Sequence, residues 1–400
     1  MKENTLPDGW EVKKLKEVIV KTKNVNPKTS SFDEFTYIDI SAVDKSLQEI
    51  VSPKTVQSLE APSRAKKSIE INDILFATTR PNLKNIAIVS ISYDFPIAST
   101  GFCVIRTNNE TDNRYVFYYL TSDFLQEQIE PKIRGAQYPA ISDKDLKGIF
   151  IPIPSLEEQK RIVAKIDTLF AKIDKAISLT EESLVQAKNL LPSVLKELFE
   201  KGKADGWEEK KLGEVIEKTK NVNPKTSSFD EFTYIDISAV DKSLQEIVLP
   251  KTVKSIGAPS RAKKSIELDD ILFATTRPNL KNIAIVSVLY EFPIASTGFC
   301  VVRSNSETHN RYLFYYLISD LLQEQIEPYI RGAQYPAISD KDLKSVLIPV
   351  PNLKEQIQLS ELFDKISEES KKTQSKLEEQ LAYLKQLKSS ILTKAFKGEL

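Results

Sequence analysis

Apolar residues fall at alternating steps of three and four through residues 155–200: Val163, Ile166, Phe170, Ile173, Ile177, Leu184, Ala187, Leu191, Val194 and Leu198, with Thr180 filling the one gap. A stripe with that spacing is a heptad seam, and about five heptads of it predict one long helix. The segment holds no glycine and a single proline, Pro192, where a kink is expected. At ~1.5 Å per residue the helix would span roughly 65 Å. A second seam closes the chain through Phe363, Ile366, Ser370, Thr373, Leu377, Leu381, Leu384, Leu387 and Ile391. Neither seam is stable alone in water, so each rod is the natural mate of the other.

The segments before the rods alternate differently. Phe35–Ser41, Asp73–Thr79, Asn85–Ile91 and Ile97–Arg106 are short, β-branched or aromatic, and bounded by turn residues, which predicts strands. Asn113–Glu130 carries Val116, Tyr119, Leu120, Phe124, Leu125 and Ile129 at helical spacing and stops at Pro131. Ile151-Pro-Ile-Pro154 is an extended exit whose prolines remove backbone donors and bar continuation as sheet or helix. The expected fold class is therefore mixed α/β heads joined to long coiled-coil helices.

The chain then repeats itself. Trp10–Pro154 returns as Trp207–Pro351, with Lys21–Val51, Asp73–Ser90 and Arg134–Lys147 unchanged as Lys218–Val248, Asp270–Ser287 and Arg331–Lys344. Roughly 24 of about 145 paired positions differ, and a repeat of that length is a whole domain rather than a solenoid unit. The boundaries read as a first head over residues 1–154, a rod over 155–200, a linker over 201–206, a second head over 207–351 and a second rod over 352–400. The rods share little beyond the seam and the Glu-Gln pairs Glu158-Gln159 and Glu355-Gln356. If the rods pair antiparallel, the heads sit at opposite ends and a pseudo-two-fold axis relates them.

Formal net charge is zero, which argues against a general polyanion sponge but leaves room for a local basic face. Cys103 and Cys300 occupy one position in the two copies, each within an apolar run, and read as buried reduced thiols. The N-terminus lacks a signal-like apolar stretch and no run approaches a membrane span, so a cytoplasmic protein is expected.

Catalytic signals are weak. The one histidine, His309, faces Asp112 in the other copy and reads as surface drift, leaving no histidine relay and too few ligands for zinc. No glycine-rich phosphate cradle appears, and Asn26-Pro27 is followed by lysine where an amino-methyltransferase motif needs proline. Asp143-Lys-Asp145-Leu-Lys147 holds an acidic-x-Lys tripeptide, but behind Ser142 it reads as the start of a short helix.

What recurs in both copies is a set of donors on expected loops. The first is a compact basic turn with Arg64, Lys66 and Lys67, repeated as Arg261, Lys263 and Lys264. The second follows a strand and carries Thr79, Arg80, Asn82 and Lys84, repeated as Thr276, Arg277, Asn279 and Lys281. The third follows the helix and carries Arg134, Gln137 and Tyr138, repeated as Arg331, Gln334 and Tyr335. Arginine and lysine suit phosphates and guanine edges, Asn and Gln suit adenine edges, and tyrosine can stack on a base. A solvated rim of ordinary loops has the same composition. Tyr37, Phe76 and Tyr118 read as core.

The ordered combination of motifs resembles the specificity (S) subunit of type I restriction–modification systems. It comprises Leu6-Pro-Asp-Gly-Trp10 with Leu15, echoed by Asp205-Gly-Trp207 with Leu212. Asp73-Ile-Leu-Phe76 with Arg80-Pro81 and Gly135-Ala-Gln-Tyr-Pro-Ala-Ile141 with Leu146 follow. The exit Ile151–Pro154 with Leu156, Glu158-Gln159 and Arg161-Ile-Val163, and the closing Ser390-Ile-Leu392 and Ala395–Leu400, complete it. The resemblance implies target recognition domains for heads and spacer helices for rods. It implies a non-catalytic subunit that binds double-stranded DNA and places two methyltransferase (M) subunits on adenines of a bipartite target. S-adenosylmethionine, ATP and Mg would then belong to the methyltransferase and restriction (R) subunits.

The usual S subunit has two dissimilar heads; here they nearly coincide. Equal readers related by a dyad make equal contacts only with DNA whose dyad coincides, so a gapped palindrome is expected. Docking on one duplex face needs half-site centres ~34 Å or ~10 base pairs apart. The rods set that gap, so removing two heptads, or about four residues from one rod, should alter spacing or abolish binding without changing the half-site letters. The S-type subunit of a fused restriction–methylation (bcg-like) enzyme shares this layout. A duplicated protein-interaction adaptor with a coiled-coil stalk is the reading without nucleic acid.

Overall fold

The computed structural model describes residues 6–400; residues 1–5, the opening of the first expected head, lie outside the described residues. The chain divides into two compact units, Met1–Thr180 with Glu379–Leu400, and Glu181–Glu378. Each unit combines one head with the start of the rod that follows it and the end of the other rod.

In the first head the strands are β1 (Glu11–Lys14), β2 (Ile19–Val20), β3 (Glu34–Ile38), β4 (Val43–Asp44), β5 (Glu49–Ile50) and β6 (Lys54–Gln57). They continue as β7 (Ala65–Ser68), β8 (Ile74–Ala77), β9 (Ile86–Ile88), β10 (Ile97–Ser99), β11 (Phe102–Thr107) and β12 (Phe150–Ile153). Two four-stranded sheets, ordered β6-β3-β10-β7 and β2-β11-β8-β9, carry the head. Strand β8 is buried on both faces, which its continuous apolar run Ile-Leu-Phe-Ala requires. Ile74 and Phe76 face the helices, while Leu75 and Ala77, with Phe102 of the neighbouring β11, face Ile38 and Ala98 of the other sheet. Asp73, fully buried before β8, accepts two bonds from the Arg106 guanidinium at 2.8 Å. Its counterpart Asp270 does the same with Arg303. Tyr37, Phe76 and Tyr118 are core residues.

The helix predicted over Asn113–Glu130 is two: α1 (Asn113–Thr121) and α2 (Asp123–Ile129). Ser122 breaks it in an extended conformation, and its hydroxyl donates to Tyr119 O at 2.7 Å, closing α1 locally. The short helix α3 (Asp143–Lys147) is capped by Ser142, which accepts from Asp145 N–H. The exit does continue as sheet: β12 pairs antiparallel with β1, with Val12 opposite Pro152. A two-stranded edge tolerates the missing donor, and Pro152 O accepts from Tyr115 Oη at 2.8 Å.

The first rod, α4 (Leu156–Ala204), runs through Pro192 and takes up most of the expected linker. In the second head, helices α5 (Asn310–Ile318), α6 (Asp320–Ile326) and α7 (Asp340–Lys344) repeat α1–α3, and α8 (Leu353–Lys397) is the second rod. The counterpart of β2 shrinks to one bridge, Ile216 to Ser304, where Val20 has become Glu217.

Within each unit the rod segments pair antiparallel. Lys388 reaches Asp174 and Arg161 reaches Leu400 O in the first unit. Phe199 meets Phe363, and Ser370 Oγ donates to Ala187 O at 2.6 Å, in the second. Past Pro192 the buried seam shifts by one residue, to Leu195 and Phe199 in place of Val194 and Leu198. On α8, Thr373 is exposed and Gln374 takes its place in the seam.

One aromatic repeats across the rods. Phe396 sits edge-on to Tyr115 and Tyr119 at 5.2 and 5.0 Å; Phe199 does the same to Tyr312 and Tyr316 at 5.6 and 5.0 Å. The shared Glu-Gln pair is a joint between head and rod. Gln159 is fully buried; it accepts from Asp112 N–H and donates to Glu110 O and Pro154 O. Gln356 binds His309 N–H, Glu307 O and Pro351 O in the same way. His309 is thus no surface residue: it is half-buried beside that joint, with Nδ1 3.1 Å from Ser360 Oγ.

Candidate nucleic-acid interface

Strand β8 and the turn at Thr100-Gly101, which splits the strand expected over Ile97–Arg106 into β10 and β11 of different sheets, bring the three predicted donor segments to one edge of the head. Thr100 N–H donates to Arg64 O at 2.8 Å; past Arg64 the expected basic turn is strand, with Lys66 and Lys67 on β7, and Lys263 and Lys264 on its counterpart. Gly101, next after Thr100, gives its carbonyl to Thr78 N–H and Thr78 Oγ1 at 2.8 and 2.9 Å. Thr78 O in turn accepts from Ile141 N–H at 2.9 Å, and Arg80 N–H donates to Pro139 O at 2.6 Å. The loop Arg134–Ala140 closes on itself by two bonds between Arg134 and Ala140, each 2.9 Å. Gly135 lies at φ +94°, and a Cβ there would stand 2.8 Å from Tyr138 O, so glycine is required. The second head repeats these links at Arg261, Thr275, Arg277 and Ile338.

Arg80 and Lys84 bracket a short 3-10 turn, Pro81–Leu83, and both adopt the left-handed conformation, at φ +50° and +52°. Arg277 and Lys281 repeat it at φ +50°. Side chains other than glycine pay for that backbone, and such strain concentrates at functional loops. It turns the Arg80 guanidinium over the exposed Tyr138 ring, 5.6 Å from its centre.

The donors divide by their partners. Arg64, Lys66, Arg80, Asn82, Gln137 and Tyr138 are exposed, and among the described residues no polar side chain holds them. The same holds for Arg261, Lys263, Arg277, Asn279, Gln334 and Tyr335. Arg134 is exposed and unpaired, whereas Arg331 stands 3.8 Å from Asp342. Lys67 and Lys264 are different: each is partly covered and paired with the first residue of the short helix, Asp143 at 3.0 Å and Asp340 at 2.7 Å. Lys84 donates to Thr121 O at 2.9 Å and pairs with Asp123 at 3.1 Å, and Lys281 pairs with Asp320. These four lysines are committed to tying loops to helices. Thr79 and Thr276 are half-covered and contribute backbone bridges to Ala140 and Ala337.

A hydrogen bond from Ser389, with the Lys84 ammonium beside it, holds Asp123 below the usual carboxylate range. Burial pushes the Cys103 and Cys300 thiols up to about 12 and keeps them protonated. Asp145 of the acidic-x-Lys tripeptide is bonded by the capping Ser142 and the preceding Asp143 is paired with Lys67, and no cluster of metal-ligating side chains occurs among the described residues. No helix there is long and apolar enough to cross a membrane.

A segment outside the predicted set also reaches this edge. Asn24 bridges Lys67, and Val25 N–H donates to Lys66 O at 2.8 Å, so Lys21–Thr29 lies against β7. The available signal was its place in the unchanged run Lys21–Val51 and its three lysines without a carboxylate.

Comparison with known proteins finds relatives along nearly the whole chain. A family model described as type I restriction modification DNA specificity domain matches residues 7–182 and 204–382. The chain is 26% identical to the type I restriction enzyme MjaVIII specificity subunit of Methanocaldococcus jannaschii, over 89% of this chain and 85% of that protein. It is 24% identical to the type I restriction enzyme EcoKI specificity subunit of Escherichia coli K12, over 100% of this chain and 91% of that one. Among solved structures, the HsdS subunit from Thermoanaerobacter tengcongensis aligns with a TM-score of 0.69 at 33% identity, covering 99% and 98% of the two chains. A chain from a study of complex assembly and conformational transition of the type I R-M system aligns with a TM-score of 0.84 at 33% identity, covering 99% of both.

Proposed function

Because the chain belongs to the family of the type I restriction modification DNA specificity domain, we propose that it is the subunit that reads a bipartite target on double-stranded DNA. It catalyses nothing itself. It positions two methyltransferase subunits, which carry S-adenosylmethionine, and restriction subunits, which use ATP and Mg, in the cytoplasm. The observation that carries this reading is the same exposed donor set, Arg80, Asn82, Gln137 and Tyr138, displayed by the same two loops in both heads. Arginine and the amide side chains read base edges in the groove, and tyrosine packs on a base or sugar.

Two equal readers imply two equal half-sites. Within each unit the rod segments pair antiparallel, and Phe396 and Phe199 take matching seats against their heads. The target is then one short sequence repeated in inverted orientation across a fixed gap, which the rods set. Binding of the full-length chain with its methyltransferase to duplex DNA, followed by fluorescence anisotropy across a salt series, tests the reading. The logarithm of the association constant falls steeply with the logarithm of salt if phosphates are held. An affinity that ignores ionic strength contradicts it and favours the protein-interaction adaptor.

A further inference from the structure

Beside the base-reading loops lies a second basic strip. Residues 21–32 contain Lys21, Lys23 and Lys28 and no carboxylate, and residues 62–68 contain Arg64, Lys66 and Lys67, again with none. The backbone joins the two segments: Val25 N–H donates to Lys66 O at 2.8 Å and Ser68 N–H to Lys23 O at 3.1 Å. Lys67 is paired with Asp143, but Lys21, Lys23, Lys28, Arg64 and Lys66 form no ion pair among the described residues. The second head repeats all five, as Lys218, Lys220, Lys225, Arg261 and Lys263, also unpaired.

In the second unit the junction is a groove of ≈ 540 Å³, with Asn221, Asn223, Lys225 and Lys263 on its polar side and Pro224 and Pro259 as apolar wall. The first head carries the same residue types at Asn24, Asn26, Lys28 and Lys66, with Pro27 and Pro62. Crowding five like charges costs free energy through self-repulsion. A chain with 56 Asp and Glu against 56 Lys and Arg has carboxylates to spare, yet places none in either segment. A polyanion offsets that repulsion. Ammonium groups suit phosphate oxygens, amides suit phosphate and sugar oxygens, and proline rings suit the face of a deoxyribose.

We propose that the groove between Asn24–Lys28 and Ser63–Lys66, with its copy at Asn221–Lys225 and Ser260–Lys263, holds the DNA backbone beside each half-site. This rests on the reading of the chain as a DNA-binding subunit. The groove sets register and affinity, and the Arg80 and Arg277 loops set sequence.

The test is anisotropy of the full-length chain, assembled with its methyltransferase, on a duplex carrying its methylation target and on a scrambled duplex. In the variant combining Lys28→Ala, Lys66→Ala, Lys225→Ala and Lys263→Ala, the salt slope should fall by about 0.9 per lost phosphate contact, hence about 3.6 in total. Affinity should drop by the same factor on both duplexes, with the thermal midpoint of wild type. The isosteric pair Asn26→Asp with Asn223→Asp, which puts a carboxylate in each groove, should also weaken both. If wild type binds in a salt-dependent way and the lysine variant keeps its slope, the groove is not the phosphate site, and the DNA-binding reading stands. If the variant changes the ratio between the two duplexes, the groove reads bases, and this assignment is overturned. If wild type shows no salt-dependent affinity, the DNA-binding reading fails first and the groove with it.

Discussion

The Arg80 guanidinium carbon lies 5.6 Å from the centre of the Tyr138 ring. The two residues come from different loops, tied together by the Arg80 N–H bond to Pro139 O. In the second head Arg277 and Tyr335 repeat the pair at 5.5 Å, with Tyr335 about two-thirds exposed, at 66%. An exposed cation–π contact is worth only about 0.5–1 kcal/mol, so it orients the arginine more than it stabilises the head.

Separation of stability from binding follows at Arg80. Its left-handed backbone favours glycine, so Arg80→Gly with Arg277→Gly should leave the urea midpoint at or above wild type, with a gain of up to about 1 kcal/mol per head. DNA affinity should fall, and fall more on the target than on a scrambled duplex. Unchanged preference in the anisotropy assay would remove these arginines from base reading.

The glutamine joint predicts a local cost. Gln159→Leu strands Asp112 N–H, Glu110 O and Pro154 O in the buried seam between the first head and α4. Each unsatisfied buried group costs about 1–3 kcal/mol. Hydrogen exchange should show the loss at the junction of β12 and α4 in the first unit, with the second unit protected as before. Gln356→Leu should give the reciprocal pattern.

Phe396 and Phe199 make a matched pair of probes. Each is fully buried against two tyrosines, and Phe→Ala in such a core costs about 3–5 kcal/mol. Phe396→Ala should destabilise the first unit, although it lies at the far end of the chain from that head. Phe199→Ala should destabilise the second. Proteolysis mapped by mass spectrometry distinguishes this from loss in the sequence-adjacent head.

The heads should differ in their response to acid. Burial, followed by the nearby Arg311 charge, lowers the His309 pKa below its ordinary 6.5. The folded second unit therefore prefers the neutral imidazole. Its contribution is fully present above pH 6.5 and is lost as pH falls through the lowered folded value. The first unit has Asp112 there, accepting from Arg114 and Tyr115 N–H. Between pH 7.5 and 5.5 the wild-type chain should lose more stability in the second unit than His309→Asn does. Parallel pH profiles for the two proteins would refute the assignment.

Much of this architecture could be read from periodicity. The seams are local patterns and the repeated heads a direct match of two segments, and both survive in sequence; the first donor segment does not, since Lys66 and Lys67 lie on β7. The carboxylate partners of Lys67 and Lys84 were not legible, because Asp143 and Asp123 lie 76 and 39 positions away. Nor was the break at Ser122, where apolar periodicity continues across a residue that bonds back to Tyr119. The seam shift past Pro192 escaped because Val194 and Leu195 are equally apolar and only packing chooses between them. The role of Gln159 was visible only as a shared residue, since its three partners are backbone groups.

The central claim is that two equal heads read two equal half-sites. Genome-wide mapping of methylated adenines, in the host or after co-expression with the cognate methyltransferase, tests it most directly. The expected result is one short sequence in inverted orientation on either side of a constant gap, with one methylated adenine per half. Two unlike half-sites flanking the gap would contradict it.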